Sequence, residues 1–386
     1  MGFADYQNEV YLNGLGDQAP AYPVAWRDLE VAALAAMSPQ ASGYVSGGAG
    51  GEETIRANRE AFDRWRIVPR MLRGIPAQRD LTTTVLGTTM PAPVLLSPVG
   101  VLGIVHPDGE LAVARAASAM GVTMVTSTAA TTPMEQIAEA AGDGPRWYQL
   151  YWPKSRELAA SLVHRAEAAG YTAIVFTLDT WQLGWRPRDL GTAYLPFLQG
   201  IGNAQYFSDP VFREMLDKSP EDEPMAAILL WSQQFANPEL TWDDIAWLRA
   251  QTSLPIVVKG VQHPDVARLA VDAGAAALIC SNHGGRQVDG AIGSLDALPG
   301  IVAAAGDLPV LFDSGIRTGA DAVKALALGA KAVLLARSYV YGLAVGGEAG
   351  VTHVLRTFLA DLDLQLGLSG HASIAELSPA SLSRRD

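Results

Sequence analysis

The chain has 386 residues, 49% of them hydrophobic, and a formal net charge of -12. That length and apolar content suit one large core or two medium ones. The acidic balance, spread without blocks, disfavours nucleic acid and anionic membrane surfaces as partners, so any anionic ligand must be held by particular arginines and lysines.

The first residues, "MGFADYQNEVYLNG", show neither a basic n-region nor an apolar h-region, and Tyr6 stands where a myristoylation signal wants Ser or Thr. No apolar stretch approaches bilayer length, and a cytoplasmic protein with no membrane partner is expected. Residues 1–75 read as a helical preface to a single domain spanning 1–386, with "WRDLEVAALAAM" and "EETIRANREAFDRW" as helices bracketing a loop that carries Tyr44. The glycine cluster "SGGAGG" (46–51) neither follows a strand nor opens the right helix, so it reads as a loop rather than a dinucleotide fingerprint.

From residue 93 one unit recurs: a short apolar run, a turn, an amphipathic helix and often a glycine cap. The runs are "PVLLSP" (93–98), "TMVTST" (123–128), "RWYQLY" (146–151), "TAIVFTLD" (172–179), "PIVVKG" (255–260), "AALICSN" (276–282), "PVLFDSG" (309–315) and "AVLLARS" (332–338). Eight alternations predict a (β/α)8 TIM barrel over 76–370 rather than a doubly wound sheet, which lacks its G-x-G-x-x-G here. Between the fourth and fifth runs the chain lengthens into an insertion, 186–254, that reads either as a lid over the barrel mouth or as a subunit-contact or disordered loop. The single cysteine, Cys280, lies inside "ALICS" and reads as a buried thiol, which excludes an internal disulfide and a cysteine metal cluster.

Chemistry in such barrels collects where strands end. The run ends supply Pro98, Val99 and Gly100, Ser127, Gln149 and Tyr151, Thr177 and Asp179, Lys259, Ser281, His283 and Arg286, then Asp313, Gly315, Arg317, Ala336 and Arg337. "DSGIRTG", with Ser314 and Ile316 inside it, and "LARSY" offer backbone N–H groups and two guanidiniums to a phosphate; the alternative is that Asp313 only caps a helix. Gln149, Thr177, Ser127 and Lys259 suit the polar edge of a flat heterocycle, with the lysine stabilising negative charge on it. Satisfying neighbouring strands is the plainer use of Gln149 and Thr177.

In "SNHGGRQ" (281–287) an imidazole and a guanidinium are separated by two glycines that let backbone and ligand approach closely. His283 suits proton abstraction, Asp179 its orientation, and Arg286 with Arg186 the grip on a carboxylate. His106 and His263 precede prolines at helix starts, His164 and His353 fall within helices, and His371 is in the tail. Tyr44 and Tyr151 complete an anion pocket or simply pack. No histidine pair has a ligand spacing, so no metal is expected.

"SNHGGRQ", "DSGIRTGADAVKALALGA", "VVKGVQHP" and "FTLDTWQLGWRPRDL" resemble the FMN-dependent L-2-hydroxy acid oxidising family over about residues 40–370, and "GWRPRDL" with the "SDPVFR" insertion is most similar to its lactate 2-monooxygenase branch. The resemblance implies FMN as cofactor and a small 2-hydroxy acid and O2 as substrates. For lactate it implies conversion to acetate, CO2 and water, or, if the keto acid leaves first, release of keto acid and H2O2. It also implies a homotetramer or octamer. It makes His283 the base and Asp179 its partner, assigns Arg186, Arg286, Tyr44 and Tyr151 to substrate, and places Tyr194 on a closing lid. Pro98, Val99, Gly100, Ser127, Gln149, Thr177, Lys259 and Ser281 would line the flavin, and Asp313, Ser314, Gly315, Ile316, Arg317, Ala336 and Arg337 its phosphate. Ala336 stands where the family has glycine. A cofactor-free barrel acting on a phosphorylated metabolite, and a protein docking its insertion on lipid, are the rival readings.

Overall fold

Eight parallel strands pair in chain order and close on themselves: β1 (Val94–Leu96), β2 (Thr123–Ser127), β3 (Arg146–Leu150), β4 (Ile174–Thr177), β5 (Ile256–Val261), β6 (Ala277–Cys280), β7 (Val310–Phe312) and β8 (Ala332–Leu335). The structure, a computed structural model, describes residues 2–385, so Met1 and Asp386, the two ends of the expected domain, lie outside the described residues. Each expected run carries one barrel strand. Side chains alternate across a strand, so each one splits its apolar residues between two cores. Leu95, Val125, Trp147, Val175, Val257, Ile279, Leu311 and Leu334 pack inside the barrel, whereas Leu96, Tyr148, Ile174, Val258 and Phe312 face the surrounding helices.

The preface does not stand alone. Its segment Trp65–Ile67 pairs antiparallel with the C-terminal strand Leu382–Arg384, and the hairpin Thr83–Val85/Thr88–Met90 sends Val85 and Met90 into the barrel's interior cluster. The helices Trp26–Ala36 and Glu53–Asp63 match expectation, but Tyr44 lies on a helix, Pro39–Ser46, and not on a loop. Ser38 caps that helix by accepting from Ala41 N–H at 3.2 Å, and Pro39 supplies the fixed φ its first turn favours.

The insertion after β4 meets the barrel mouth through part of its length. Of residues 186–254, Arg186, Phe197 and Phe235 reach the wall of the barrel-mouth cavity. Much of the remainder is strapped to the flank helix Arg156–Ala168: Asp209 Oδ2 lies 3.0 Å from Arg165 Nη1, and Asp244 Oδ1 lies 2.6 Å from Arg156 Nη2. Phe197 stacks on Trp231 at 5.0 Å, and Tyr206 meets Phe212 at 5.6 Å, so the insertion has an aromatic core of its own. Among the described residues, no helix is long and apolar enough to cross a membrane.

Candidate active site

Two positions beyond each inward apolar residue, the same alternation sets a ring of side chains at the strands' C-terminal mouth: Ser97, Ser127, Gln149, Thr177, Lys259, Ser281, Asp313 and Ala336. Sideways bonds join them. Ser127 Oγ and Thr128 N–H both donate to Gln149 Oε1, at 3.1 and 3.2 Å. Lys259 Nζ donates to Ser281 Oγ at 3.0 Å and lies 3.3 Å from Asp313 Oδ2, which also accepts from Ser97 Oγ at 3.1 Å. Asp313 is thus turned toward the lysine, and Thr318 caps the following helix, Gly319–Ala327. Gln149 Nε2 and Thr177 Oγ1 are buried with no partner among the described residues. Leaving such atoms unpaired costs roughly 1–3 kcal/mol each, so the pair marks where a ligand with a polar edge belongs.

His283 follows β6 in a left-handed turn, φ 57°, continued by Gly284 and Gly285 at 64° and 77°. Its Nδ1 donates to Asp179 Oδ1 at 2.8 Å, while the Thr180 hydroxyl lies 3.1 Å from Nδ1 and 3.0 Å from the same carboxylate oxygen. With a carboxylate accepting at Nδ1, the neutral ring keeps its lone pair on Nε2, where the Tyr151 hydroxyl stands 3.5 Å away. Burial lowers the His283 pKa from its ordinary value, and Lys259 and Arg186 work the same way against the opposing pull of Asp179. For Asp179 burial acts upward, yet His283, Lys259 and Thr180 outweigh it and hold the carboxyl below its usual range. The site therefore holds an imidazole in direct hydrogen-bond contact with a buried carboxylate.

Beside it Arg286 lies over the Tyr44 ring at 4.7 Å, and its Nη1 donates to the carbonyls of Tyr44 and Gly47 at 2.5 and 2.8 Å. Its Nη2 is buried without a hydrogen-bond partner among the described residues. Burial, and next the charge of Arg186, pull this guanidinium down to about 9. Arg186 is buried too and donates to the Arg286 carbonyl at 3.1 Å and to Gln287 Oε1 at 2.8 Å. Two adjacent guanidiniums, one of them with a nitrogen that makes no hydrogen bond among the described residues and faces Asp189 Oδ2 at 3.9 Å, make a carboxylate site.

The far end of the cavity belongs to the preface as much as to the barrel. Arg317 stacks on Trp26 at 4.0 Å, next to Ser314 and Gly315 with φ of 81° and 94°. Arg59 donates to the Gly315 carbonyl and pairs with Asp321 at 2.9 Å. Arg337, expected to fork onto an anion, donates instead to the carbonyls of Val45, Gly284 and Gly47 at 3.0, 3.0 and 2.9 Å. A half-buried guanidinium has five donors to satisfy, and these carbonyls are within its reach.

Most of the residues singled out in the sequence line this one cavity: His283, Arg186, Arg286, Tyr44, Tyr151, Pro98, Val99, Gly100, Ser127, Lys259, Asp313 to Arg317, Ala336 and Arg337. Asp179, Gln149 and Ser281 stand directly behind the wall through the contacts just described, and Thr177 is paired with Lys259 in the register of β4 and β5. Tyr194 is half-buried outside the wall, on the approach to the Pro196–Gln199 turn. Trp26, Asn58, Arg59 and Thr180, all in the wall, were not anticipated. The other histidines have the places expected of them, with His106 and His263 accepting from the backbone N–H groups of Asp108 and Asp265, both at 3.1 Å. Cys280 is buried.

The chain matches the FMN-dependent dehydrogenase family over residues 33–384. It is 45% identical over 381 residues to an FMN-dependent alpha-hydroxy acid dehydrogenase of Penicillium citrinum, covering 97% of this chain and 94% of that one. An L-lactate oxidase of Lysinibacillus sphaericus is 42% identical over 379 residues, covering 98% and 97%. A solved structure of mandelate oxidase with (S)-4-hydroxymandelic acid superposes with a TM-score of 0.83 at 36% identity, covering 94% and 99%. The chain belongs to the FMN-dependent dehydrogenase family. Within it, the protein is an FMN-dependent 2-hydroxy acid oxidoreductase.

Proposed function

We propose that the protein oxidises a small L-2-hydroxy acid, L-lactate foremost, with O2 as acceptor, releasing the 2-keto acid and H2O2. The observation that carries this is the His283 imidazole, backed by Asp179 at 2.8 Å, beside the Arg286 nitrogen that makes no hydrogen bond among the described residues. Arg286 and Arg186 bind the substrate carboxylate, which presents the α-carbon and its hydroxyl to His283. His283 Nε2 then takes the proton, and Asp179 stabilises the imidazolium that forms. Tyr44 and Tyr151 flank the acid, and Tyr194 approaches from the loop.

The residues present fit FMN. Gln149 Nε2 and Thr177 Oγ1, otherwise orphaned, would meet the ring's polar edge beside Lys259, with Ser127, Ser281 and Pro98 to Gly100 completing the surround. Ser314, Gly315, Ile316 and Ala336 would hold the phosphate end through backbone N–H groups, with the Arg317 side chain beside them and Arg337 fixing the surrounding loops; the N–H groups of Asp313 and Arg317 already donate to Cys280 and Asp321. Bound there, FMN supplies the acceptor that takes two electrons from the substrate and passes them to O2.

Release of the keto acid is favoured over its decarboxylation because little of the insertion closes the mouth and Tyr194 stands outside the wall. The likeness of "GWRPRDL" and "SDPVFR" to the monooxygenase branch supports the second outcome, acetate, CO2 and water. A cytoplasmic homotetramer or octamer is part of the same proposal and rests on the family resemblance. Oxygen turnover with L-lactate, glycolate and L-mandelate, with catalase present in a parallel arm, tests it. Equal amounts of pyruvate and H2O2 from L-lactate are expected without catalase, and pyruvate without acetate when catalase is present. Acetate formed in place of pyruvate despite catalase would assign the monooxygenase outcome instead.

A further inference from the structure

Asn58 belongs to the preface helix Glu53–Asp63 but is 2% exposed, and it pairs reciprocally with Asn282. Asn58 Nδ2 donates to Asn282 Oδ1 at 2.9 Å, and Asn282 Nδ2 donates to Asn58 Oδ1 at 2.7 Å. Asn282 immediately precedes His283, and its Oδ1 also accepts from Gly285 N–H at 3.2 Å, closing the turn that carries the imidazole. Asn58 Oδ1 accepts from Ser294 N–H at 3.0 Å, which ties the far end of the same loop. The turn needs such ties. His283 holds a left-handed backbone at φ 57°, a conformation that strains a non-glycine residue and lasts only where the surroundings impose it.

We propose that Asn58 is a positioning residue for the proton-transfer step: through Asn282 it holds the left-handed turn in the geometry that aims His283 Nε2 into the cavity. The preface is then part of the catalytic apparatus and not merely a cover. This inference rests on the reading of His283 as the base. A buried amide pair suits the task because each amide satisfies the other's donor and acceptor in one register only, so a shift of the helix or of the turn breaks both bonds together.

The test is rapid-mixing reduction of bound flavin by L-lactate, expressed per bound flavin, for Asn58→Ala, Asn58→Asp, Asn282→Ala and the double variant Asn58→Ala/Asn282→Ala, with FMN affinity measured separately by fluorescence titration. Asn58→Asp keeps the size and the acceptor and loses the donor to Asn282. Each Asn58 variant is expected to slow limiting flavin reduction about 10–100-fold, with lactate and FMN affinities within about 3-fold of wild type, and the double variant to be no slower than Asn282→Ala alone. Reduction within about 2-fold of wild type, multiplicative losses in the double variant, or a loss carried by FMN affinity in both Asn58 variants would overturn it. A wild-type flavin that lactate does not bleach would overturn the proposed function and this inference with it; a bleached wild type with unimpaired variants overturns the positioning role alone.

Discussion

His283 Nδ1 and Asp179 Oδ1 meet at 2.8 Å across 104 positions of sequence, joining the end of β4 to the turn after β6. The contact fixes the ring's tautomer and leaves Nε2 as the basic atom facing the cavity.

Its pH consequence has a definite sign. Burial holds the His283 pKa below the ordinary imidazole value, and Asp179 is an opposing influence that raises it. The base is neutral above that pKa, so the rate of flavin reduction should fall only as pH drops below the usual imidazole range. Asp179→Asn removes the raising influence, and the acid limb should move to still lower pH while the plateau falls about 10–1,000-fold. A pH profile of flavin reduction reads both effects.

Arg286 Nη2 is buried with no hydrogen bond among the described residues and faces Asp189 Oδ2 at 3.9 Å. Arg286→Lys keeps a charge but loses the fork, and KM for the hydroxy acid should rise about 10-fold or more. Weaker competitive inhibition by oxalate, measured in the same assay, should accompany it.

Gln149→Glu keeps the oxygen that accepts from Ser127 and Thr128 but replaces the free Nε2 donor with an acceptor. FMN affinity should drop about 10-fold or more, since one buried hydrogen bond is lost and a like-signed group is set against the ligand's edge. Quenching of flavin fluorescence by the apoprotein measures it.

The two glycines of "HGGR" differ in what surrounds them. A Cβ on Gly285 would lie 2.8 Å from the backbone nitrogen of Ile55, whereas one on Gly284 would lie 3.0 Å from Arg337 Nη1, a side-chain atom. Both have positive φ, so each alanine carries strain, but Gly285→Ala also pushes on a helix backbone. Denaturant melts should show a loss of about 1–2 kcal/mol for Gly284→Ala and clearly more for Gly285→Ala. Equal losses would contradict the packing argument.

The barrel was legible because the eight runs carry an alternation that local sequence displays, and the run ends name the ring from Ser127 to Ala336 but miss Ser97. His283 was legible because glycines flank it at a strand end. What the preface contributes was hidden, since nothing local says which surface a helix meets. Thr54, Asn58 and Phe62 share the buried face of Glu53–Asp63, and two polar residues among its apolar ones are the signal that could have been read. The helix carrying Tyr44 was signalled by Ser38–Pro39, a cap and a first-turn proline. The direction of Arg337 could not be read, because two segments distant in sequence, the end of the Pro39–Ser46 helix and the turn after β6, supply its acceptors.

The most direct measurement is the anaerobic bleaching of bound FMN by L-lactate in His283→Ala, with cofactor content matched to wild type. A rate constant lower by about 100-fold or more is predicted, because proton removal then has no base at Nε2. Bleaching within about 3-fold of wild type at full flavin occupancy would contradict the account.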